Sequence, residues 1–300
     1  MHKPQTVIFG EVLYDCFPDG KRVLGGAPFN VAWHCQAFGL QPLLISRVGD
    51  DPSGEKIQQA MHDWGMSSAG LQIDSQHPSG VVDVRFEQGE PSYTIVENSA
   101  WDFIDKSALP ALQHNSLFYH GSLALRKPES AAALDYIKQQ IKPSVFVDIN
   151  LRSPWWKLPQ IKQMMADAQW LKLNQHELAQ VQPDMTAEAA ADDETLLKLL
   201  QQYQLELLIV TRGEQGVVAC DIQGTISRVV PQALNRVEDT VGAGDAFSSV
   251  LLLGQYLQWP LVTRLQRAQQ FASAVVGLQG ATTSDTAFYQ HFIDAWQLSL

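Results

Sequence analysis

The strongest chemical candidate in the chain is a carboxylate at the end of a glycine loop, Asp239-Thr240-Val241-Gly242-Ala243-Gly244-Asp245, preceded by Glu238. Directly after it Phe247, Val250, Leu251, Gly254 and Leu257 fall at helical spacing, so the glycines open a helix. The first N–H groups of a helix have no partner within it, and the dipole there is positive. Two glycines let an anion approach closely and let the backbone take dihedrals that other residues resist. A carboxylate beside such an anion hole has a use: it takes a hydroxyl proton while the N–H groups stabilise a phosphoryl group in transfer. An isolated G-x-G-D is also what a capped helix start looks like. No G-K-[ST] follows, so this is not a Walker A loop.

A second glycine string lies near the other end: Gly25-Gly26-Ala27-Pro28-Phe29-Asn30-Val31-Ala32, then Gly39. Pro28 suits the first turn of a helix and Gly39 its C-terminal end. Asn30 then sits in the first turn, where its amide either binds hydroxyls through paired donor and acceptor bonds or simply caps. Upstream, Asp15 follows the first apolar run in Gly10-Glu11-Val12-Leu13-Tyr14-Asp15, and the carboxyl end of a strand is where open α/β sheets bind ligands.

The two strings resemble the signatures of the ribokinase-like (PfkB) carbohydrate kinases, D-T-x-G-A-G-D and G-G-x-x-x-N-x-A, in the expected order, with Gly49 of Val48-Gly49-Asp50-Asp51 also matching. The resemblance spans essentially the whole chain. It implies ATP-dependent transfer of a phosphoryl group to a primary hydroxyl of a monosaccharide. By resemblance Asp245 is the catalytic base and Gly242, Ala243 and Gly244 form the anion hole. Asp15, Gly25, Gly26 and Asn30 then hold the sugar together with Asp245. Val147-Asp148-Ile149-Asn150-Leu151-Arg152 resembles the D-x-N-x-R segment of fructokinase-type members, with Trp155 and Trp156 following. Asp148 and Asn150 are expected to line the cleft, and Arg152 to hold a phosphate or a sugar oxygen. A surface Arg paired with a carboxylate is the plainer reading of that residue.

Lys172-Leu173-Asn174-Gln175-His176-Glu177 resembles the N-x-x-E motif, in which Asn174 and Glu177 organise Mg2+ and its waters; His176 reads as a surface residue at a helix start. Thr211, Gly213 and Gly216 match a nucleotide-binding turn, with Arg212 between them as a residue reaching for phosphates; Asn174, Gly242 and Gly244 also face the nucleotide. The segment 271–280 resembles the helix and loop on the adenine side. Asp239, Val241, Gly280 and Ser284 are the candidate positions for a monovalent cation, K+. Ala27-Pro28, Asn150-Leu151-Arg152 and Trp156 look most like fructokinases; ribose, 2-keto-3-deoxygluconate and nucleosides are the alternative acceptors. A non-catalytic sugar- or nucleotide-binding regulator on the same fold would need no base at Asp245. A dinucleotide oxidoreductase would need a G-x-G-x-x-G after the first strand, which reads Gly10-Glu11-Val12-Leu13 instead.

The elements that must position these residues are legible as alternating patterns. Apolar runs at 7–10, 43–48, 117–121, 145–149, 170–173 and 207–211 read as strands of a parallel sheet covered on both faces. Helical patterns fall at 30–38, 54–64, 130–141, 194–203, 243–256, 261–278 and 287–297. The expectation is one ribokinase-like α/β domain over 1–300, a three-layer α/β/α with an open, mostly parallel sheet. Residues 80–87 alternate with period two, Gln88-Gly89-Glu90-Pro91 reads as a turn, and 92–96 alternates again, an antiparallel hairpin with one wet face. With a short strand at 21–25 it forms a small β lid from segments near 11–25 and 80–100. Its Val, Phe and Tyr side chains serve either to cover substrate or to pair with a second copy of the chain. The alanine-rich, acidic stretch 187–193 reads as a surface turn or helix start.

Composition narrows the function classes. With 300 residues, 45% hydrophobic, the chain can build a large core. A net charge of −11 argues against a nucleic-acid partner, whereas a few local N–H groups still hold a phosphate. Cys16, Cys35 and Cys220 are scattered without C-x-x-C spacing, which fits a reducing compartment better than a disulfide framework or zinc site. No apolar stretch follows the basic start and none is long enough to span a bilayer, so the cytoplasm is the expected location.

Overall fold

The structure is a computed structural model describing residues 4–87, 90–182, 192–231 and 239–298. In chain order it runs β1 (Thr6–Phe9), β2 (Leu13–Cys16), β3 (Arg22–Gly25), α1 (Ala27–Ala37), β4 (Leu43–Gly49), α2 (Pro52–Asp63), β5 (Leu71–Asp74), β6 (Gly80–Glu87) and β7 (Glu90–Ile95). Next come β8 (Leu117–His120), α3 (Pro128–Ile141), β9 (Ser144–Asp148), α4 (Leu158–Asp167), β10 (Trp170–Asn174), α5 (Gln175–Val181), α6 (Asp193–Gln202) and β11 (Leu207–Thr211). The last third holds β12 (Val217–Asp221), β13 (Ile226–Val229), α7 (Ala243–Tyr256), α8 (Leu261–Val275) and α9 (Thr286–Trp296). Residues Gln88 and Gly89 of the expected hairpin turn, and 187–191 of the acidic stretch, lie outside the described residues.

The strands form a sheet in the order β13-β12-β11-β10-β9-β8-β1-β4-β5. From β11 through β5 every pairing is parallel. Alternate residues of each strand serve opposite faces. Val7 and Phe9 of β1 and Leu171 and Leu173 of β10 join one core with α3, α4, α5 and α6. Ile8 and Trp170 join the other, with α1, α2, α7, α8 and α9. Two faces buried under helices explain the nearly continuous apolar runs. From β1 the chain moves outward to β4 and β5, then returns to β8 on the other side of β1 and proceeds away. The strand order thus reverses beside β1, and open sheets of this kind form their ligand crevice at the carboxyl ends of the strands there. No described helix is long and apolar enough to cross a membrane.

Three features depart from the sequence expectation. The edge strands β12 and β13 are antiparallel. Asp221 closes their turn, its Oδ1 accepting from the N–H groups of Gln223 and Thr225. The helices α4 and α5 and the strand β5 are shorter or more polar than the patterns that reveal such elements. The small sheet has four strands, β3-β2-β6-β7. Its β6–β7 hairpin is antiparallel as expected, but it is joined through a parallel pairing of β2 with β6. That pairing places Asp15, on β2, in the small sheet and not at the end of a core strand.

Candidate active site

Helix α7 begins at Gly242, whose φ of 80° lies in the left-handed region. A Cβ there would stand 2.4 Å from Ala281 Cβ and 2.5 Å from its Cα, so only glycine lets the loop lie against that segment. The segment is itself fixed. His34, fully buried on α1, reaches the Ala281 carbonyl through Nε2 at 3.0 Å and the Tyr289 hydroxyl through Nδ1 at 2.9 Å. The carbonyl can only accept, so Nε2 carries the proton; burial pushes the ring's pKa down to about 3 and keeps it neutral. No side chain caps α7, and among the described residues the N–H groups of Gly244 and Asp245 donate to no protein acceptor. Unpartnered donors at a helix start can receive an anion. Glu238 lies outside the described residues.

This geometry makes a graded prediction. Gly242→Ala is expected to cost at least about 1–2 kcal/mol for the left-handed backbone alone, and to raise the KM for nucleotide. At Gly244 an added Cβ meets only Lys172 Nζ, at 3.4 Å, so Gly244→Ala is expected to fold normally. Thermal melts of the two variants check the order, and equal melting temperatures would contradict it.

Asp245 stands in the first turn of α7, half-buried, with Oδ2 accepting from Asn30 Nδ2 at 2.8 Å. The bond joins the two glycine motifs across 215 residues of sequence. Desolvation pushes the Asp245 carboxyl up to about 6; the Asn30 bond and the positive Lys172 and Arg152 oppose the shift, while Asp148 reinforces it. A carboxylate with that affinity for a proton suits a general base.

Gly25 and Gly26 leave room for the neighbours of Asn30. A Cβ on Gly25 would lie 3.4 Å from Asp15 Oδ2 and 3.9 Å from Asn30 Oδ1, so both side chains converge over it. Gly26, with φ 105°, is the N-cap of α1, and a Cβ there would strike the Glu11 carbonyl at 2.6 Å. Burial raises Asp15 to about 6, against the pull of Arg152 and with a push from Asp239. Tyr93 on β7, 54% exposed, feels the charges of Asp239, Asp15 and Arg152, so the small sheet overhangs this cluster.

The D-x-N-x-R segment divides. Asn150 is half-buried with φ 43° and follows β9. Arg152 is exposed; its Nη1 donates to the Leu151 carbonyl, and its charge reaches Glu11, Asp15 and Asp245. Asp148 does not line the cleft. It is buried beneath it, and its Oδ2 accepts from Lys172 Nζ at 2.7 Å, Ser248 Oγ at 2.8 Å and Tyr119 Oη at 3.3 Å. Three donors on one oxygen satisfy a buried charge, and Lys172 gains a partner that lets a lysine sit inside a strand. Trp155 packs on the Arg126 guanidinium at 4.6 Å.

Lys172 belongs to none of the motifs, yet it stands at the centre of this cluster. A lysine within the apolar run Trp170-Leu171-Lys172-Leu173 is a signal in itself, because lysine is almost never buried without a partner. Glu11 likewise belongs to none of the motifs; it is buried, with its carbonyl against Gly26 at the start of α1.

Asn174 and Glu177 form a capping box on α5. Asn174 Oδ1 accepts from the N–H groups of His176 and Glu177, and Glu177 Oε2 accepts from the Asn174 N–H. Glu177 Oε1 accepts from Leu151 N–H, tying the loop after β9 to α5. His176 is exposed at the helix start. Each carboxylate oxygen keeps a free lone pair, whereas both lone pairs of the Asn174 oxygen are used. The pair therefore fits a hydrated magnesium ion contacted through its waters, not direct ligation by the amide. Among the described residues no group of His, Cys, Asp and Glu forms a metal cage.

Of the residues expected to face the nucleotide, Thr211 ends β11 and Gly213, with φ 54°, has open space where a Cβ would stand. Gly216 is buried, and a Cβ there would lie 2.0 Å from the Val229 carbonyl, so packing of β13 demands this glycine. Arg212 bonds Gln215 of its own turn and does not extend. Asp239 clasps the remaining loop. Its Oδ1 accepts from Val241 N–H at 2.9 Å and its Oδ2 from Gly280 N–H at 3.3 Å. Asp239, Val241 and Gly280 are thus together, with oxygen donors of the kind a hard monovalent cation takes, while Ser284 stands exposed without a bond to them.

Known proteins resemble this chain in sequence and in fold. Fructokinase of Escherichia coli is 30% identical over 261 residues, 82% of this chain and 83% of that one. Fructokinase from Vibrio cholerae O395, solved with fructose, ADP and a calcium ion bound, matches with a TM-score of 0.81 at 23% identity, over 96% of this chain and 98% of that one. Aminoimidazole riboside kinase from Salmonella enterica, solved with aminoimidazole riboside and an ATP analog, matches with a TM-score of 0.82 at 23% identity, over 96% and 99%. The two structures share the fold, and the pfkB family carbohydrate kinase model matches residues 8–287. With a base-like carboxylate at an open helix start and a family match over nearly its whole length, the chain belongs to the pfkB family and is a carbohydrate kinase.

Proposed function

We propose that the chain is a fructokinase, moving the γ-phosphoryl group of ATP to a primary hydroxyl of fructose, with Asp245 as general base. The observation that carries this reading is the Asn30–Asp245 bond, which sets a carboxylate from the anion loop against an amide from the sugar motif. Asp15, Gly25, Gly26 and Asn30 orient the sugar, with Asn150 and Arg152 closing its side. Asp245 takes the hydroxyl proton as the oxygen attacks. The free N–H groups at Gly244 and Asp245, with Lys172 beneath them, meet the charge that develops. Asn174 and Glu177 would hold magnesium through its waters, where the ion would neutralise phosphate charge, and Thr211 and Gly213 would face the nucleotide of ATP, the phosphoryl donor. Tyr93 and the small sheet exclude water, which would otherwise compete as acceptor.

The choice of fructose rests on the D-x-N-x-R segment and on the relatives' names. ADP release is measured with fructose, ribose, 2-keto-3-deoxygluconate and a riboside. Fructose is expected to give the highest kcat/KM. A rate with fructose no better than water would end the fructose reading, and silence with every sugar would favour a non-catalytic binder.

A further inference from the structure

Arg126 belongs to none of the motifs, yet it joins two parts of the chain that wall the proposed sugar site. It follows β8 by way of a short turn at Leu123–Leu125. Its side chain is 2% exposed, and that of its partner Asp102 is 0% exposed, so the pair is a buried one. A guanidinium offers five N–H donors in one fixed plane, and its faces stack on aromatic rings. Here Nε donates to Asp102 Oδ1 at 2.6 Å and Nη2 to Asp102 Oδ2 at 2.7 Å, a two-pronged pair. Nη2 also donates to the Val96 carbonyl at 2.6 Å. The same group packs on the ring of Trp101 at 4.2 Å and on that of Trp155 at 4.6 Å.

The partners belong to three places. Val96 is the first residue after β7, at the root of the small sheet, and its N–H donates to the Val81 carbonyl of β6 at 3.0 Å. Trp101 stands against the other root: a Cβ on Gly80, where β6 starts, would lie 2.3 Å from its Nε1. The segment bearing Trp101 and Asp102 is tied to the α/β body. Ser130 Oγ of α3 donates to the Trp101 carbonyl at 2.8 Å and accepts from the Ile104 N–H at 2.9 Å. Asp102 Oδ2 also accepts from the Ser99 N–H at 3.1 Å, which fixes the chain between Val96 and that segment. Trp155 belongs to the loop after β9, where its N–H donates to the Arg152 carbonyl at 2.8 Å. At Arg126 the root of the small sheet and the Arg152 turn therefore meet the body.

We propose that Arg126 is a positioning residue for the sugar site, which through Val96 sets the small sheet and through Trp155 sets the Arg152 turn, so that both walls are held from one buried group. The proposal rests on the sugar-binding roles given above to Arg152 and the small sheet, and its test separates the two. Lysine at this position would keep the charge and lose the plane: an ammonium cannot make the fork to Asp102, reach Val96 and stack on two rings at once.

Trp155→Leu leaves the Arg126–Asp102 pair intact and strands no charge. With the fastest sugar of the panel above, it is expected to lower kcat/KM for sugar by about 10-fold, short of the ~10²-fold of a group misplaced by about 1 Å, with the KM for ATP unchanged. In an Arg152→Ala background the same substitution is expected to add little, because effects that pass through one residue do not sum. Fully additive losses would overturn the proposal. Arg126→Lys is followed by hydrogen exchange and mass spectrometry, a readout independent of activity. Exchange in 81–87 and 92–96 is expected to rise by about 10-fold or more while that of β8 through β11 stays as in wild type, the pattern of a local opening. A uniform rise across both sheets, with the KM values for sugar and ATP altered alike, would mean that Arg126 only holds the fold together, and would overturn the proposal. If Arg152→Ala kept wild-type kcat/KM for sugar, the sugar-binding role of Arg152 alone would fail, and exchange in the small sheet would still decide what Arg126 does.

Discussion

Asp245→Asn is expected to bind sugar and ATP normally and to lose turnover by about 10²–10⁴-fold, the usual contribution of a positioned general base. The substitution is close to isosteric, and the carboxamide oxygen can still accept from Asn30 Nδ2, so the Asn30–Asp245 link at 2.8 Å survives. What disappears is the capacity to take a proton. The pH profile gives a second signature. Desolvation holds Asp245 near 6, and the base works only when ionised. Wild-type kcat/KM is therefore expected to fall as pH drops below about 6, and the residual activity of Asp245→Asn to lack that limb. Titration calorimetry for the ligands and steady-state kinetics across pH make the check. Near-normal kcat in the variant would remove Asp245 from the base role.

Lys172→Met is the second large effect, and it acts on stability and rate together. The ammonium lies 2.7 Å from Asp148 Oδ2, and both side chains are almost fully buried. Removing one partner of a buried pair strands the other charge and typically costs about 3–5 kcal/mol. The hydroxyls of Ser248 and Tyr119 still donate to Asp148, so the loss should fall at the lower end of that range. The same ammonium underlies the anion loop, within 3.4 Å of where a Cβ on Gly244 would be. Losing positive charge beneath a transferring phosphoryl group is expected to lower kcat by about 10²–10³-fold, as for one oxyanion-hole donor. The double variant Asp148→Asn/Lys172→Met separates the two jobs. With no stranded charge it should recover much of the stability in urea melts while its kcat stays low. Recovery of kcat as well would mean that Lys172 serves only to neutralise Asp148.

The two motifs legible in the sequence share a physical basis. Gly242 and Gly26 take left-handed or otherwise glycine-only backbone against a close neighbour, and Pro28 starts a helix, so local geometry writes itself into residue type. The Asn174–Glu177 spacing was also visible, but its meaning was not. Three residues apart at a helix start, the pair serves a capping box as readily as a metal, and here it makes the cap. Asp148 shows the limit most clearly. At a strand end it reads as a cleft residue, but the parallel register of β9 and β10 sets Lys172 directly across from it and pulls it below the floor.

By itself the amino-acid sequence determined that the chain alternates strands and helices, that α7 and α1 start at glycines, and that Asp245 and Asn30 stand at those starts. These are consequences of short-range sterics and periodicity, which act within a few residues. Only the tertiary structure decided that Asn30 donates to Asp245 across 215 residues, and that Lys172 neutralises Asp148 and not a ligand alone. It also decided that Glu11, just past the end of β1, is buried within reach of the charge on Asp245. Protonation state and ion pairing depend on burial and on which strands become neighbours, and that is settled when the sheet assembles.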